Sequence, residues 1–127
     1  MNHEIRFCKV DEICLVQSFI KEHWKKDHIF VKDTKLLSWQ HLDKINNRFN
    51  FVVAFNIKTK QFDAILGFIP TTQFDNEIEA KDIWLAIWKV KESYASSGIG
   101  LQLFLFLASN YNADSVGVIG ISDEANK

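Results

Sequence analysis

Charge of one sign, cysteine, proline and long apolar runs are all scarce in this 127-residue chain. Fifteen Lys and Arg face sixteen Asp and Glu, a formal net charge of −1, which leaves no basic footprint for nucleic acid. No apolar stretch reaches the ~18 residues that signal a membrane span. The start, Met1-Asn-His-Glu-Ile-Arg6, lacks the apolar segment of a secretory signal. Cys8 and Cys14 form neither a CxxC pair nor a disulfide framework, so a reduced, cytoplasmic chain is expected. The only proline, Pro70, ends a predicted strand. No Gly-Lys-Ser/Thr occurs, which excludes a P-loop.

Apolar residues make up 47% of the sequence and charged residues 24%, the composition of a globular domain. The length suits one domain with a real core, and no repeat, linker or low-complexity tract divides it. Eleven Phe and four Trp imply a bulky aromatic core or a pocket with aromatic walls.

Glu4 to Val10 reads as an opening strand. Asp11 then caps a helix to about Trp24, with Ile13, Val16, Phe19, Ile20 and Trp24 on one face. A polar break at Lys25 to His28 precedes a second helix capped by Asp33 or Thr34, holding Leu36, Leu37, Gln40 and Leu42 and ending at Asn46-Asn47. Phe51 to Ile57, a turn at Lys58-Thr-Lys60, and Phe62 to Ile69 predict a β-hairpin. Thr71 to Ala80 is an acidic connection to Ile83–Val90, which is apolar on both faces apart from Lys89 and reads as a buried central strand antiparallel to its neighbour.

The strongest chemical signal follows that strand. Lys91 to Ser97 leads to Gly98-Ile99-Gly100, which opens the apolar helix Leu101 to Ala108; the β-rich run Ser115 to Ile121 comes next. Strand, Gly-rich turn, helix and strand make a βαβ unit, whose helix N-terminus offers unpaired N–H groups and a positive dipole end to a phosphate. A dinucleotide fingerprint needs a third glycine at position 103, which is leucine. Gly98 and Gly100 serve either a bound phosphate or tight helix–sheet packing. Ser96 and Ser97 serve as caps, as phosphate contacts, or as both.

In order of elements and in the stretch Ala95-Ser96-Ser97-Gly98-Ile99-Gly100, the chain resembles the GCN5-related N-acetyltransferase (GNAT) superfamily. There the loop before the central helix follows Gln/Arg-x-x-Gly-x-Gly/Ala and cradles the pyrophosphate of acetyl-CoA. Both glycine positions match, and Ala95 stands at the Gln/Arg position. Trp24-Lys-Lys-Asp-His28, Leu37-Ser-Trp-Gln40, Ile65 to Pro70 and Asp82 to Lys89 look like a narrower group, acetyltransferases of bacterial surface-polysaccharide biosynthesis. The resemblance spans residues 4 to 125 and implies an α/β fold with a mixed, mostly antiparallel sheet of about five strands flanked by helices.

The resemblance also implies an activity: acetyl transfer from acetyl-CoA to a small-molecule amine, such as an amino-sugar nucleotide. Cofactor contacts would come from the main chains of Ile87, Trp88, Lys89 and Val90 and from Ser96, Ser97, Gly98, Ile99, Gly100 and Leu101. Trp24, Trp39 and Gln40 either line the acceptor cleft or pack helix faces. Asp82 and Glu79, near the start of the central strand, are either the base that takes the amine proton or solvated loop carboxylates. The family's acid is a tyrosine on a helix after the last strand present, a place that neither Tyr94 nor Tyr111 occupies.

His23, His28 and His41 lack a convergent Cys or carboxylate pattern, so no metal site is assigned. Ser122-Asp123-Glu124-Ala125 reads either as the start of a helix or as a short polar tail. With the nearly all-round apolar run Leu101 to Leu107, the first reading leads to the expectation of a single domain, 1–127, cut short after its fifth strand, with a homodimer covering that helix. The competing expectation is a non-catalytic GNAT-like domain that acts in binding or assembly. A ligand-sensing α/β module of unrelated fold is the third alternative.

Overall fold

A computed structural model of the chain describes residues 3–24, 26–70, 82–94, 96–110 and 115–118. Strand β1 (His3–Lys9) leads into helices α1 (Ile13–His23), α2 (Ile29–Lys32) and α3 (Thr34–His41). Strands β2 (Leu42–Asp43), β3 (Arg48–Asn56), β4 (Gln61–Pro70) and β5 (Asp82–Val90) follow, then helix α4 (Ile99–Asn110) and strand β6 (Ser115–Val118). All the strands join one sheet in the order β1-β3-β4-β5-β6, with β2 added to β3. Among the described residues every pairing is antiparallel except that of β5 with β6, where Asp82 to Leu85 run parallel to Ser115 to Val118. Parallel strands need a crossover, and α4 supplies it. The α/β class and the mostly antiparallel sheet agree with the sequence expectation; β2 is one short strand more.

Alternation along the strands divides the core in two. Phe49, Phe51 and Val53 of β3 meet Val16, Phe19 and Ile20 of α1 and Leu37 of α3 on one face. Val52 and Ala54 of β3, with Leu66 and Phe68 of β4, meet Ile99, Leu103 and Leu107 of α4 on the other. A bulge in β5 breaks the alternation: Leu85 pairs with Phe68 and Ile87 with Gly67, which leaves Ala86 as the extra residue. Ile83 and Leu85 therefore face α4, whereas Ile87 faces the α1–α3 layer. β5 is not buried throughout, because Trp84 is 41% exposed. Nor is α4 covered all round: Leu101 and Leu105, one turn apart, are 58% and 53% exposed.

Local chemistry sets the element ends. The chain enters α1 through a 3-10 turn, Val10–Glu12, and the carboxylate that accepts a backbone N–H there is that of Glu12 (from Lys9, 3.0 Å), not Asp11. Arg6 grips the same carboxylate at 2.7 and 2.8 Å, a long side chain reaching back from β1. Helix α2 lies just after the expected polar break, where His28 Nδ1 accepts the Phe30 N–H at 3.1 Å. Asp33 caps α3 by accepting the Leu36 N–H at 3.0 Å, as expected. That helix ends earlier than predicted. Leu42 leaves it to pair with Phe49, and Asp43 Oδ1 organises the following turn by accepting from Ile45 and Asn46. In the β3–β4 hairpin, Asn56 Oδ1 accepts from Lys58 and Thr59, an Asx turn closed by Lys60 at φ +61°. The acidic connection 71–80, the residues 119–121 of the expected last strand and the expected helix start at Ser122 lie outside the described residues.

Candidate functional site

The loop between β5 and α4 is built by short-range bonds. Lys91 N–H donates to Asp63 O at 2.8 Å, and Glu92–Tyr94 form a 3-10 turn. Tyr94 O accepts from both the amide (3.0 Å) and the hydroxyl (2.6 Å) of Ser97. The Ser97 oxygen in turn accepts the Ile99 N–H at 3.3 Å. Ser97 thus performs the capping role expected of it, while Ser96 is exposed. Gln102 N–H donates to Gly98 O at 3.1 Å, the first helical bond of α4. Gly98, Gly100 and Leu101 donate no backbone N–H to any acceptor among the described residues, as the geometry of a helix start requires.

The two glycines do different things. Gly98 has φ +84°, a left-handed conformation that an L side chain rarely takes, and a Cβ there would meet no atom within 4 Å. The Cβ side of Gly98 is therefore open, at the start of α4. Gly100 is a packing residue: a Cβ would lie 3.0 Å from Val90 Cγ2 and 3.5 Å from Trp88 Nε1. Trp88 Nε1–H donates to Gly100 O at 3.2 Å, and its ring stacks on Phe104 with centroids 5.8 Å apart. Phosphate cradle and helix–sheet packing were alternatives in the sequence; the packing applies to Gly100, and Gly98 packs against nothing on its Cβ side.

These contacts bring the end of β5 (Trp88 and Val90) beside the residues 96–101. Ile87 is buried on the opposite face, and Lys89 is half-buried. Asp82 starts β5, eight residues before Val90, which at the ~3.3 Å rise of a strand is roughly 26 Å away. Glu79 lies outside the described residues. Trp24 closes α1 and packs against the core cluster on that face, with its ring 5.9 Å from that of His28. Trp39 is 66% exposed on α3, and Gln40 follows it on the same helix.

Several polar residues take places that spacing did not reveal. His41 is fully buried, with its ring 4.5 Å from that of Phe51 and 5.6 Å from that of Phe30. Burial pushes its pKa down to about 4, outweighing the nearby main chains of Asn50 and Phe68, which favour the proton. Neither ring nitrogen makes a hydrogen bond of good geometry. Asp63, in β4, is buried with His3 Nε2 at 2.7 Å and Asn56 Nδ2 at 2.8 Å from Oδ2. A carboxylate between Phe62 and Ala64 was the available signal for this cluster.

No protein-family model matches the sequence, and no curated protein matches it. Solved structures do. A possible acetyltransferase from Clostridium difficile 630 superposes with a TM-score of 0.65 at 18% identity, over 99% of this chain and 84% of that one. An aminoglycoside acetyltransferase from an uncultured soil metagenomic sample, in complex with sisomicin, gives 0.64 at 16% identity, over 94% and 78%. The ribosomal-protein-alanine N-acetyltransferase of Brucella melitensis biovar Abortus 2308 gives 0.62 at 9% identity, over 95% and 81%. The chain has the GNAT-like fold that these acetyltransferases share.

Proposed function

We propose that this chain is an acyl-CoA-dependent N-acyltransferase that moves an acetyl group from acetyl-CoA to a small-molecule amine. The observation that carries this reading is Gly98. Its left-handed main chain, open on the Cβ side, carries one of three helix-start N–H groups, those of Gly98, Gly100 and Leu101, that have no acceptor among the described residues. An anion is what such a place holds. The fold shared with acetyltransferases supports the pyrophosphate of acetyl-CoA as that anion. Ser97, Gly98, Gly100 and Leu101 would hold it, Ser96 and Ile99 would flank it, and the extended arm would run along the main chain of Ile87, Trp88, Lys89 and Val90 toward the start of β5.

The chemistry is direct. The amine nitrogen attacks the thioester carbonyl, the C–N bond forms, and the C–S bond breaks to release the thiolate of CoA. The amine proton goes to a base, for which Asp82 and Glu79 are the candidates. An amino-sugar nucleotide is the proposed acceptor, with Trp24, Trp39 and Gln40 along its cleft. The narrower resemblance to polysaccharide-biosynthesis enzymes supports it, as does the likeness in fold to an aminoglycoside acetyltransferase in complex with sisomicin. The reaction takes place in the cytoplasm in this reading. Thiol release from acetyl-CoA across a panel of amines tests the activity: amine-dependent release is expected, and none above the hydrolysis background with any amine contradicts it.

A second reading has one observation of its own. The exposed pair Leu101 and Leu105 leaves an apolar stripe on α4, which suits a non-catalytic assembly domain or a homodimer. Acetyl-CoA binding without turnover, together with a dimer in sedimentation, would favour it.

A further inference from the structure

We infer that Asp63, acting through His3 and Tyr94, is a positioning residue for the loop that faces the phosphates; the inference rests on the acyl-CoA reading of that loop. Asp63 is the extra residue of a bulge in β4, since Phe62 pairs with Phe55 and Ala64 with Ala54. Bulges re-aim a side chain, and this one turns a carboxylate inward, where it is 4% exposed. A core position between Phe62 and Ala64 would be filled more simply by an apolar residue. A buried carboxylate instead supplies directional bonds, and each of these leads toward the loop or its support.

Oδ2 accepts from His3 Nε2 at 2.7 Å and from Asn56 Nδ2 at 2.8 Å, which ties the start of β1 to the β3–β4 turn. The backbone carbonyl of Asp63 accepts the Lys91 N–H at 2.8 Å, where the loop begins. The His3 ring, held by the carboxylate, meets the Tyr94 ring edge to face at 4.9 Å and 89°. Tyr94 O then receives both donors of Ser97, the residue before Gly98. One buried residue therefore holds the first residue of the loop directly and its middle through a ring contact. A cradle made of backbone N–H groups works only when its supporting shell fixes it to a fraction of an ångström.

The test compares coenzyme A with pantetheine, which lacks the phosphates, by calorimetry for the first and NMR titration for the second. His3→Gln keeps a donor for Asp63 but removes the ring from Tyr94; Tyr94→Leu removes the other half; Tyr94→Phe keeps the contact. Coenzyme A affinity should fall roughly 2- to 30-fold in His3→Gln and Tyr94→Leu. Pantetheine affinity should stay unchanged, and Tyr94→Phe should behave as wild type. Asp63→Leu, which removes the acceptor oxygen that Asn would keep, should show the same loss; if thermal melting shows that it does not fold, the other two variants decide. Unchanged coenzyme A affinity in both of those variants, or equal weakening of both probes, overturns the positioning role alone. A wild type that does not bind coenzyme A overturns it together with the acyl-CoA reading.

Discussion

His41 makes the stability of this protein depend on pH in a way that one substitution should abolish. Its ring is fully buried between Phe51 and Phe30, and burial lowers its pKa from 6.5 to about 4. In the unfolded chain the ring takes up a proton near 6.5, while the folded protein resists until about 4. Between those values the unfolded state binds more protons, so stability rises with pH. At roughly 1.4 kcal/mol per pH unit, the contribution lost on going from pH 7.5 to pH 4 is about 3 kcal/mol, and about 2 kcal/mol is already lost at pH 5.

His41→Leu fills the site with an apolar group and removes the titration. Both ring nitrogens lack good hydrogen bonds, so at pH 7.5 the substitution should leave stability unchanged or raise it. Urea unfolding followed by tryptophan fluorescence at pH 7.5 and 5.0, on wild type and variant, isolates the effect, because other titrating groups cancel in the difference. The wild type should lose about 2 kcal/mol more than the variant between the two pH values, about 1 M in midpoint at equal slopes. Identical pH dependence in the two proteins would refute a buried, neutral His41.

Two further substitutions probe the frame around the site. Gly67→Ala places a Cβ 2.7 Å from Phe51 Cε1 and 3.2 Å from His41 Cε1; the overpacking should cost about 1–3 kcal/mol, visible as a lower melting temperature. Burial pushes the Glu12 carboxyl up, but Arg6 and the Lys9 amide outweigh it and hold the pKa below its usual value. Its stabilisation is therefore present at neutral pH and lost as pH falls through the folded value. Glu12→Ala should cost about 1–2 kcal/mol at pH 7 by loss of the cap and the Arg6 bonds, and less in acid, as denaturation at both pH values would show.

The hairpin was legible because runs rich in aromatic and β-branched residues stand on either side of Lys58-Thr-Lys60, a pattern set by neighbours in the chain. The helix through Ile99–Asn110 was legible from Gly98-x-Gly100 and the apolar run behind it. Where long-range partners decide, the reading failed. Asp11 looks as good a cap as Glu12, but Arg6 selects Glu12. Leu42 continues the helical spacing of α3, yet its pairing with Phe49 draws it into a strand. Bulges leave no mark in spacing, so neither the inward turn of Asp63 nor the change of face at Ala86 could be foreseen. At the site, the sequence named both glycines, and only geometry could show that Gly100 packs while Gly98 stays open.

The central claim is tested most directly by calorimetric titration of acetyl-CoA into the wild type, Gly98→Ala and Gly98→Glu. The alanine variant strains the left-handed main chain, and the glutamate adds a carboxylate in the open space where phosphate would sit. The account predicts micromolar binding by the wild type, weaker binding by Gly98→Ala and none by Gly98→Glu, with all three folded. A folded wild type that does not bind acetyl-CoA, or a Gly98→Glu variant that binds as well as the wild type, would contradict it.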